Sequence, residues 1–381
     1  MRSVLVVLLC ALLGTMLVSC SSSGGSDPGD SQPPTVASVD PPDGSTDRSL
    51  VQSVEITFSE TMDASTINDT TLLLGGRASL PHVQYDASSR TATITPDTLY
   101  APLTWHEAVI TEDVTDAAGN PATCETLSFQ TGPMDVDHLD DAMEPNESIA
   151  TASPVGLGAT RYSLTATDDD KDTYEFTLSE RRKITFATLI KHAPNNPPRW
   201  PGWQLRFMRA DGEYYATRGT SAEQGQTPDF SFSFSPGTYY CQIYPSYGLE
   251  TDDYVLYDLD VISDEPCADD QYEDNDFEDE AAPITTGLHT GLTGCYLDED
   301  WHSIDMTTGQ TLTVTVDATI PEGSQTRRMH IYPPGGNNFY ETGTDNPFTG
   351  QVTATADGTA TFYVQFWEDD VDYTLEIALT D

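Results

Sequence analysis

The chain has 381 residues, and its 62 aspartates and glutamates against 16 lysines and arginines give a formal charge of -46. A surface of that sign repels the phosphates of nucleic acids and of anionic headgroups, which excludes nucleic acid and nucleotide-polymer partners on charge alone. The length suits two to four ordinary domains once a leader is set aside, and the acidic excess reads mainly as a solvated surface, with a handful of carboxylates left over for a hard divalent cation.

Arg2 gives a positive start, and Val4 to Val18 is apolar apart from Gly14 and Thr15, the layout of an export signal too short to be a comfortable membrane span. The run closes on Leu17-Val18-Ser19-Cys20, which resembles the bacterial lipobox. The resemblance implies a signal peptide over 1–19, cleavage before Cys20, and acyl chains of the palmitate type on that cysteine, so that the membrane is reached through an N-terminal lipid anchor. Ser21 follows the cysteine where aspartate would mark inner-membrane retention, and the outer membrane or cell surface is the expected location. Residues 20–34, rich in Ser, Gly, Pro and Asp, cannot bury apolar area and read as an extended tether.

Beyond the tether, apolar and polar residues alternate in short runs such as Val54-Glu55-Ile56-Thr57-Phe58, Ile184-Thr185-Phe186 and Leu312-Thr313-Val314-Thr315-Val316, separated by Gly, Pro, Asp and Asn. That is the pattern of half-buried antiparallel strands, and the predicted fold class is all-β, in tandem β-sandwich domains. In 35–133, the opening Val39-Asp40-Pro41-Pro42-Asp43-Gly44, the stretch Ile56-Thr57-Phe58-Ser59-Glu60-Thr61-Met62-Asp63, Thr115-Asp116-Ala117-Ala118-Gly119-Asn120 and the closing Phe129-Gln130-Thr131 resemble, in order, the bacterial Ig-like domain of S-layer-type surface proteins. Such domains serve as spacers or interaction modules. Asp43-Gly44 and Gly119-Asn120 supply turns, and Phe58 to Asp63 reads as a strand end followed by a capped turn.

The remaining chain reads as two copies of one unit, 137–263 and 264–381. Glu144-Pro145-Asn146-Glu147 answers Glu273-Asp274-Asn275-Asp276, and Asp168 to Tyr174 answers Asp298-Glu299-Asp300-Trp301-His302. Leu205-Arg206-Phe207 answers Met329-His330-Ile331, and Thr238 to Tyr244 answers Thr361 to Trp367. Both copies resemble the bacterial pre-peptidase C-terminal (PPC) domain, a jelly-roll-like β-sandwich appended to secreted peptidases and also found in surface proteins without one. The second domain carries an insertion around Pro194 to Trp203.

A Glu-x-Asn and a downstream aspartate cluster are the oxygen donors Ca²⁺ selects, because carboxylate and amide oxygens from two segments can meet at one sandwich edge. In collagen-binding relatives of the PPC family the equivalent residues hold calcium. The resemblance therefore carries Glu144, Asn146, Asp169 and Asp172 in the second domain, and Glu273, Asn275, Asp298 and Asp300 in the third, as metal ligands. Those relatives have a further acidic residue two positions before the glutamate, where this chain has Ala142 and Gln271.

Export places the remaining cysteines in an oxidising compartment. Cys267 and Cys295 flank the start of the third domain beside the two halves of its acidic pair, and a disulfide between them is expected. Cys241, in the alternating run of the second domain, reads as a buried core position matching Val364; Cys124 reads the same way, and a bond between these two stays open. Trp200 and Trp203, in the insertion, read as rings packed on the sandwich end ahead of rings presented to a carbohydrate or protein.

No Gly-x-Ser-x-Gly, His-Glu-x-x-His, Walker-type loop or dinucleotide fingerprint is present in the sequence, and no catalytic residue is assigned. The expectation is a non-catalytic surface lipoprotein that contacts an extracellular protein or polysaccharide, with Ca²⁺ as its one candidate cofactor. The alternatives are an accessory subunit of a secreted peptidase system and an envelope spacer.

Overall fold

The computed structural model describes residues 30–75, 80–135, 139–168, 170–194, 201–247, 253–319, 327–367 and 371–381. The expected signal peptide (1–19), Cys20, Asp169 and Trp200 lie outside them.

Strands β1 (Val36–Asp40), β2 (Ser45–Arg48), β3 (Val54–Phe58), β4 (Leu72–Leu74), β5 (His82–Asp86), β6 (Thr91–Thr95), β7 (Trp105–Ile110) and β8 (Glu125–Thr131) form two four-stranded sheets, β1-β3-β6-β5 and β2-β8-β7-β4. The alternation decides which side faces in: Val54, Ile56 and Phe58 are buried while Glu55 between them is exposed. Ala92 and Ile94 on the neighbouring β6 continue this face, and Leu72, Ile110 and Phe129 meet it from the other sheet. Phe58 to Asp63 is a strand end and turn, as read from sequence: Asp63 caps a 3-10 turn over Ala64–Thr66 by accepting from Ser65 N at 2.9 Å.

The next nine strands are β9 (Ser153–Pro154), β10 (Thr160–Ala166), β11 (Asp172–Leu178), β12 (Arg182–His192), β13 (Gly202–Arg209), β14 (Tyr214–Ser221), β15 (Asp229–Phe234), β16 (Gly237–Tyr247) and β17 (Val255–Pro266). Nine more follow: β18 (Ala282–Pro283), β19 (Gly287–Gly294), β20 (Glu299–Met306), β21 (Thr311–Ala318), β22 (Arg327–Tyr332), β23 (Phe339–Gly343), β24 (Phe348–Thr353), β25 (Gly358–Phe366) and β26 (Val371–Thr380). The second domain has sheets β10-β17-β12-β15 and β14-β13-β16-β11-β9; the third has β19-β26-β21-β24 and β23-β22-β25-β20-β18. Strand for strand these are the same topology, so the repeat read from sequence is a repeat of fold.

Register corrects one detail of that repeat. Asp172 faces Ile243 across β11 and β16, and Asp300 faces Val364 across β20 and β25. The partner of Val364 is therefore Ile243, and Cys241 corresponds to Phe362. A slip of two residues keeps every side chain on its own face, which is why Cys241 is still a fully buried free thiol in the second core. Trp203 is buried too, its Nε1 donating to Thr188 Oγ1 at 2.9 Å and its ring meeting Tyr257 edge-on.

Both joints between domains are built. At the first, Lys191 reaches Asp97 and Asp258 at 2.8 Å each, His82 stacks on Tyr162 with centroids 3.7 Å apart, and Ser163 Oγ donates to the Pro96 carbonyl. At the second, Tyr296 and Leu297 of the third domain pack on the second core, and Arg209 pairs with Glu280 at 2.8 Å. The expected disulfide is formed: Cys267, just past β17, is bonded to Cys295, just past β19, with Cα atoms 6.2 Å apart.

Candidate metal centres

In the second domain the loop before β9 supplies Asp141, Glu144 and Asn146, and the entry to β11 supplies Asp170 and Asp172. The loop is held in shape by its own carboxylates: Asp141 accepts from Met143 N at 2.8 Å and Thr165 N at 2.9 Å, and Glu144 Oε2 accepts from Asn146 N at 2.8 Å. Thr173 N then donates to the Asn146 carbonyl at 2.8 Å, which fastens the loop to β11. Tyr257 OH donates to Asp172 Oδ2 and is itself within 2.9 Å of Tyr174 OH. After these bonds Glu144 Oε1, Asp172 Oδ1 and both side-chain polar atoms of Asn146 remain buried with no hydrogen-bond partner. Carboxylate oxygens of Asp141, Glu144 and Asp172 lie within 4.8 Å of one another, as do those of Glu144, Glu147 and Asp170.

The third domain builds the same loop. Asp270 accepts from Tyr272 N at 2.7 Å and Thr293 N at 3.1 Å, Trp301 N donates to the Asn275 carbonyl at 2.8 Å, and Tyr373 OH donates to Asp300 Oδ2 at 2.7 Å. Here Glu273 Oε1, Asn275 Oδ1, Asp298 Oδ1 and Asp300 Oδ1 are the buried oxygens without a donor.

Buried carboxylates resist ionisation, because water no longer solvates the charge. Burial, reinforced by acidic neighbours, pushes Asp170 up to about 8, and burial against two backbone donors leaves Asp141 at about 7. Glu273 is pushed up to about 8 by burial although Arg181 opposes the shift, and burial drives Asp172, Asp298 and Asp300 well above the usual carboxylate range. Oxygens that are buried, convergent and short of donors fit a hard divalent cation, whose charge would offset the repulsion and whose coordination takes six to eight oxygens. Glu144, Asn146 and Asp172, and Glu273, Asn275, Asp298 and Asp300, are the predicted residues among them. Three further carboxylates, Asp170, Asp141 and Asp270, are not among those expected from the sequence. Asp170, the counterpart of Asp298, joins Glu144, whereas Asp169 lies outside the described residues. Asp141 and Asp270 stand three positions before the glutamate in both copies, and that repeated aspartate was the available signal.

The third centre differs from the second by one residue that no local pattern announces. Arg181, in the turn between β11 and β12 of the second domain, is fully buried in the acidic end of the third. Its Nη1 donates to Asp298 and, at 2.8 Å, to Asp276; its Nη2 donates to Glu273; its Nε donates to Asp269 at 2.9 Å. Those carboxylates hold its guanidinium in the charged form against the burial that would oppose it. Cys267 N donates to the Arg181 carbonyl at 3.1 Å, so the disulfide-bonded linker fixes the arginine's backbone while the carboxylates fix its head.

In the first domain Asp30, Glu60 and Asp116 also approach one another. Asp116 is committed there as a turn residue, accepting from Ala118 N and Asn120 N at 2.8 Å each.

The family model of the bacterial Ig-like domain matches residues 30–131, which are the residues of the first sandwich. No curated protein matches the chain. Among solved structures, the N-terminal part of the bacterial S-layer protein SbsC is 15% identical, covers 54% of this chain and 44% of its own, and superposes with a TM-score of 0.23. Tripeptidyl peptidase 2 is 13% identical over 89% of this chain and 33% of its own, with a TM-score of 0.26. The tandem CBM51 modules of a family 98 glycoside hydrolase from Streptococcus pneumoniae are 9% identical over 57% of this chain and 83% of their own, with a TM-score of 0.18. The chain spans less than half the length of the first two, and superpositions at such scores carry no argument about what it does.

Proposed function

We propose that this chain is a non-catalytic, lipid-anchored cell-surface arm whose second and third sandwiches each hold a calcium ion, and which presents its modules to an extracellular protein or polysaccharide. The observation that carries the reading is duplication: two copies of one fold bury the same Glu, Asn and Asp set at the same strand entry, each leaving oxygen atoms short of donors. A structural carboxylate that only capped a turn would have its oxygens satisfied, as Asp116 does. The resemblance of both copies to PPC domains supports the same assignment. Support for anchoring is the Leu17-to-Cys20 sequence, and support for surface display is the Ig-like match with the tether before it. The acidic end of each sandwich binds a metal by position and charge, with Asp172 and Asp300 committed to tyrosine hydroxyls, and needs no nucleophile.

The test is the melting of the purified chain after chelation and again with millimolar Ca²⁺. An ion that binds only the native state at a hundred times its Kd stabilises by about 2.7 kcal/mol. The melting temperature rises with Ca²⁺, and Asp172→Asn or Asp300→Asn removes the part of the rise belonging to its own domain. An unchanged melting temperature at millimolar Ca²⁺ overturns the reading.

A further inference from the structure

The two acidic ends differ in what faces their outer carboxylates. In the third domain Glu273, Asp276 and Asp298 grip the guanidinium of Arg181. The matching bonds Thr173 N to the Asn146 carbonyl and Trp301 N to the Asn275 carbonyl fix the equivalence of the copies, and by that register the corresponding residues of the second domain are Glu144, Glu147 and Asp170. Their carboxylates converge within 4.8 Å. Among the described residues no arginine or lysine pairs with them; Lys171, beside Asp170 in sequence, lies instead over the Tyr244 ring at 5.1 Å. Asn146, between the two glutamates, is 0% exposed with neither side-chain polar atom hydrogen-bonded. Glu147 is exposed, so the group opens to solvent.

We propose that Glu144, Glu147 and Asp170 form a docking point for an arginine side chain of a protein partner, seated as Arg181 is seated on the third domain. The inference rests on the cation reading of the same domains: the ion is assigned the inner oxygens, and the arginine the outer ones. Once the bound ion has displaced their protons, the five carboxylates Asp141, Glu144, Glu147, Asp170 and Asp172 against one divalent ion leave a negative excess that a monovalent cation reduces. Arginine is favoured over lysine because a planar fork donates to several carboxylates at once, which is what Arg181 does through Nη1, Nη2 and Nε.

The experiment uses the full chain with saturating Ca²⁺ and three capped tripeptides, Gly-Arg-Gly, Gly-citrulline-Gly and Gly-Lys-Gly, followed by NMR shifts of the Asn146 side-chain amide and the Glu147 backbone amide. The arginine peptide shifts both signals and citrulline neither. Lysine binds more weakly than arginine. Glu147→Gln, a change at an exposed side chain, weakens arginine binding at least fivefold, whereas Glu213→Gln on the β13-β14 turn leaves it unchanged. Equal shifts from arginine and citrulline, or equal loss in the two variants, overturns the proposal. Dimerisation of the chain that Glu147→Gln abolishes overturns its assignment to a foreign partner. A calcium-dependent melting shift without arginine-specific binding sinks this inference alone; loss of both sinks the cation reading with it.

Discussion

Arg181→Gln removes the guanidinium and leaves Glu273, Asp276 and Asp298 facing one another at the buried joint. Arg181 is fully buried and the side chains of these three carboxylates are 3%, 2% and 1% exposed, so solvent cannot replace the lost charge. Breaking a buried pair by deleting one partner costs on the order of 3–5 kcal/mol, which for a domain of this size is roughly 10–20 °C of melting temperature. The cost has a pH signature. The grip needs ionised carboxylates, so the penalty is largest above about pH 8, the value to which Glu273 is raised, and shrinks as pH falls below it and that group takes up its proton. Calorimetry of the wild-type chain and the variant in chelator at pH 6, 8 and 9 reads both effects. The third-domain transition should move and the first-domain transition should not. A loss below about 1 kcal/mol at pH 9, within the range of an exposed ion pair, would refute the claim that the joint is held by this arginine.

Without calcium the whole chain should lose stability as pH rises. Folded-state values of about 7 for Asp141 and about 8 for Asp170 lie above ordinary unfolded carboxylates, so the folded state holds extra protons between about pH 4 and 8; melting in chelator falls across that window, and calcium flattens the slope. Reducing the Cys267–Cys295 bond, which joins residues 28 apart, should cost about 3–4 kcal/mol by loop entropy, read as a denaturant midpoint shift with and without reductant. Gly350→Ala would place a methyl 2.7 Å from Phe339 and 2.8 Å from Met329, and should destabilise the third domain by about 1–3 kcal/mol in the same denaturation assay while the second domain is untouched.

How far the sequence reaches follows from the range of each interaction. Alternation along Val54 to Phe58 and Leu312 to Val316 reports burial directly, because one face of each strand meets a core, so the sandwiches were legible. The pairing of Cys267 with Cys295 was legible because both flank the acidic loop they help fix. The two-residue slip around Cys241 was not: aromatic runs after Thr238 and Thr361 match in composition, and only the hydrogen-bond ladder shows which residues sit opposite Asp172 and Asp300. Glu144, Asn146, Glu273 and Asn275 stood out because a loop motif repeats. Arg181 could not stand out, since its partners belong to another domain and the turn that carries it looks like any charged turn. The third centre is thus completed by tertiary structure, and its charge balance cannot be read from one copy alone.

Calorimetric titration of the chelated full chain with Ca²⁺ at pH 7.5 counts the ions directly. The account predicts two ions per chain, falling to one in Asp172→Asn and to one in Asp300→Asn, with protons released on binding. A flat thermogram, or two ions that persist in both variants, would contradict it.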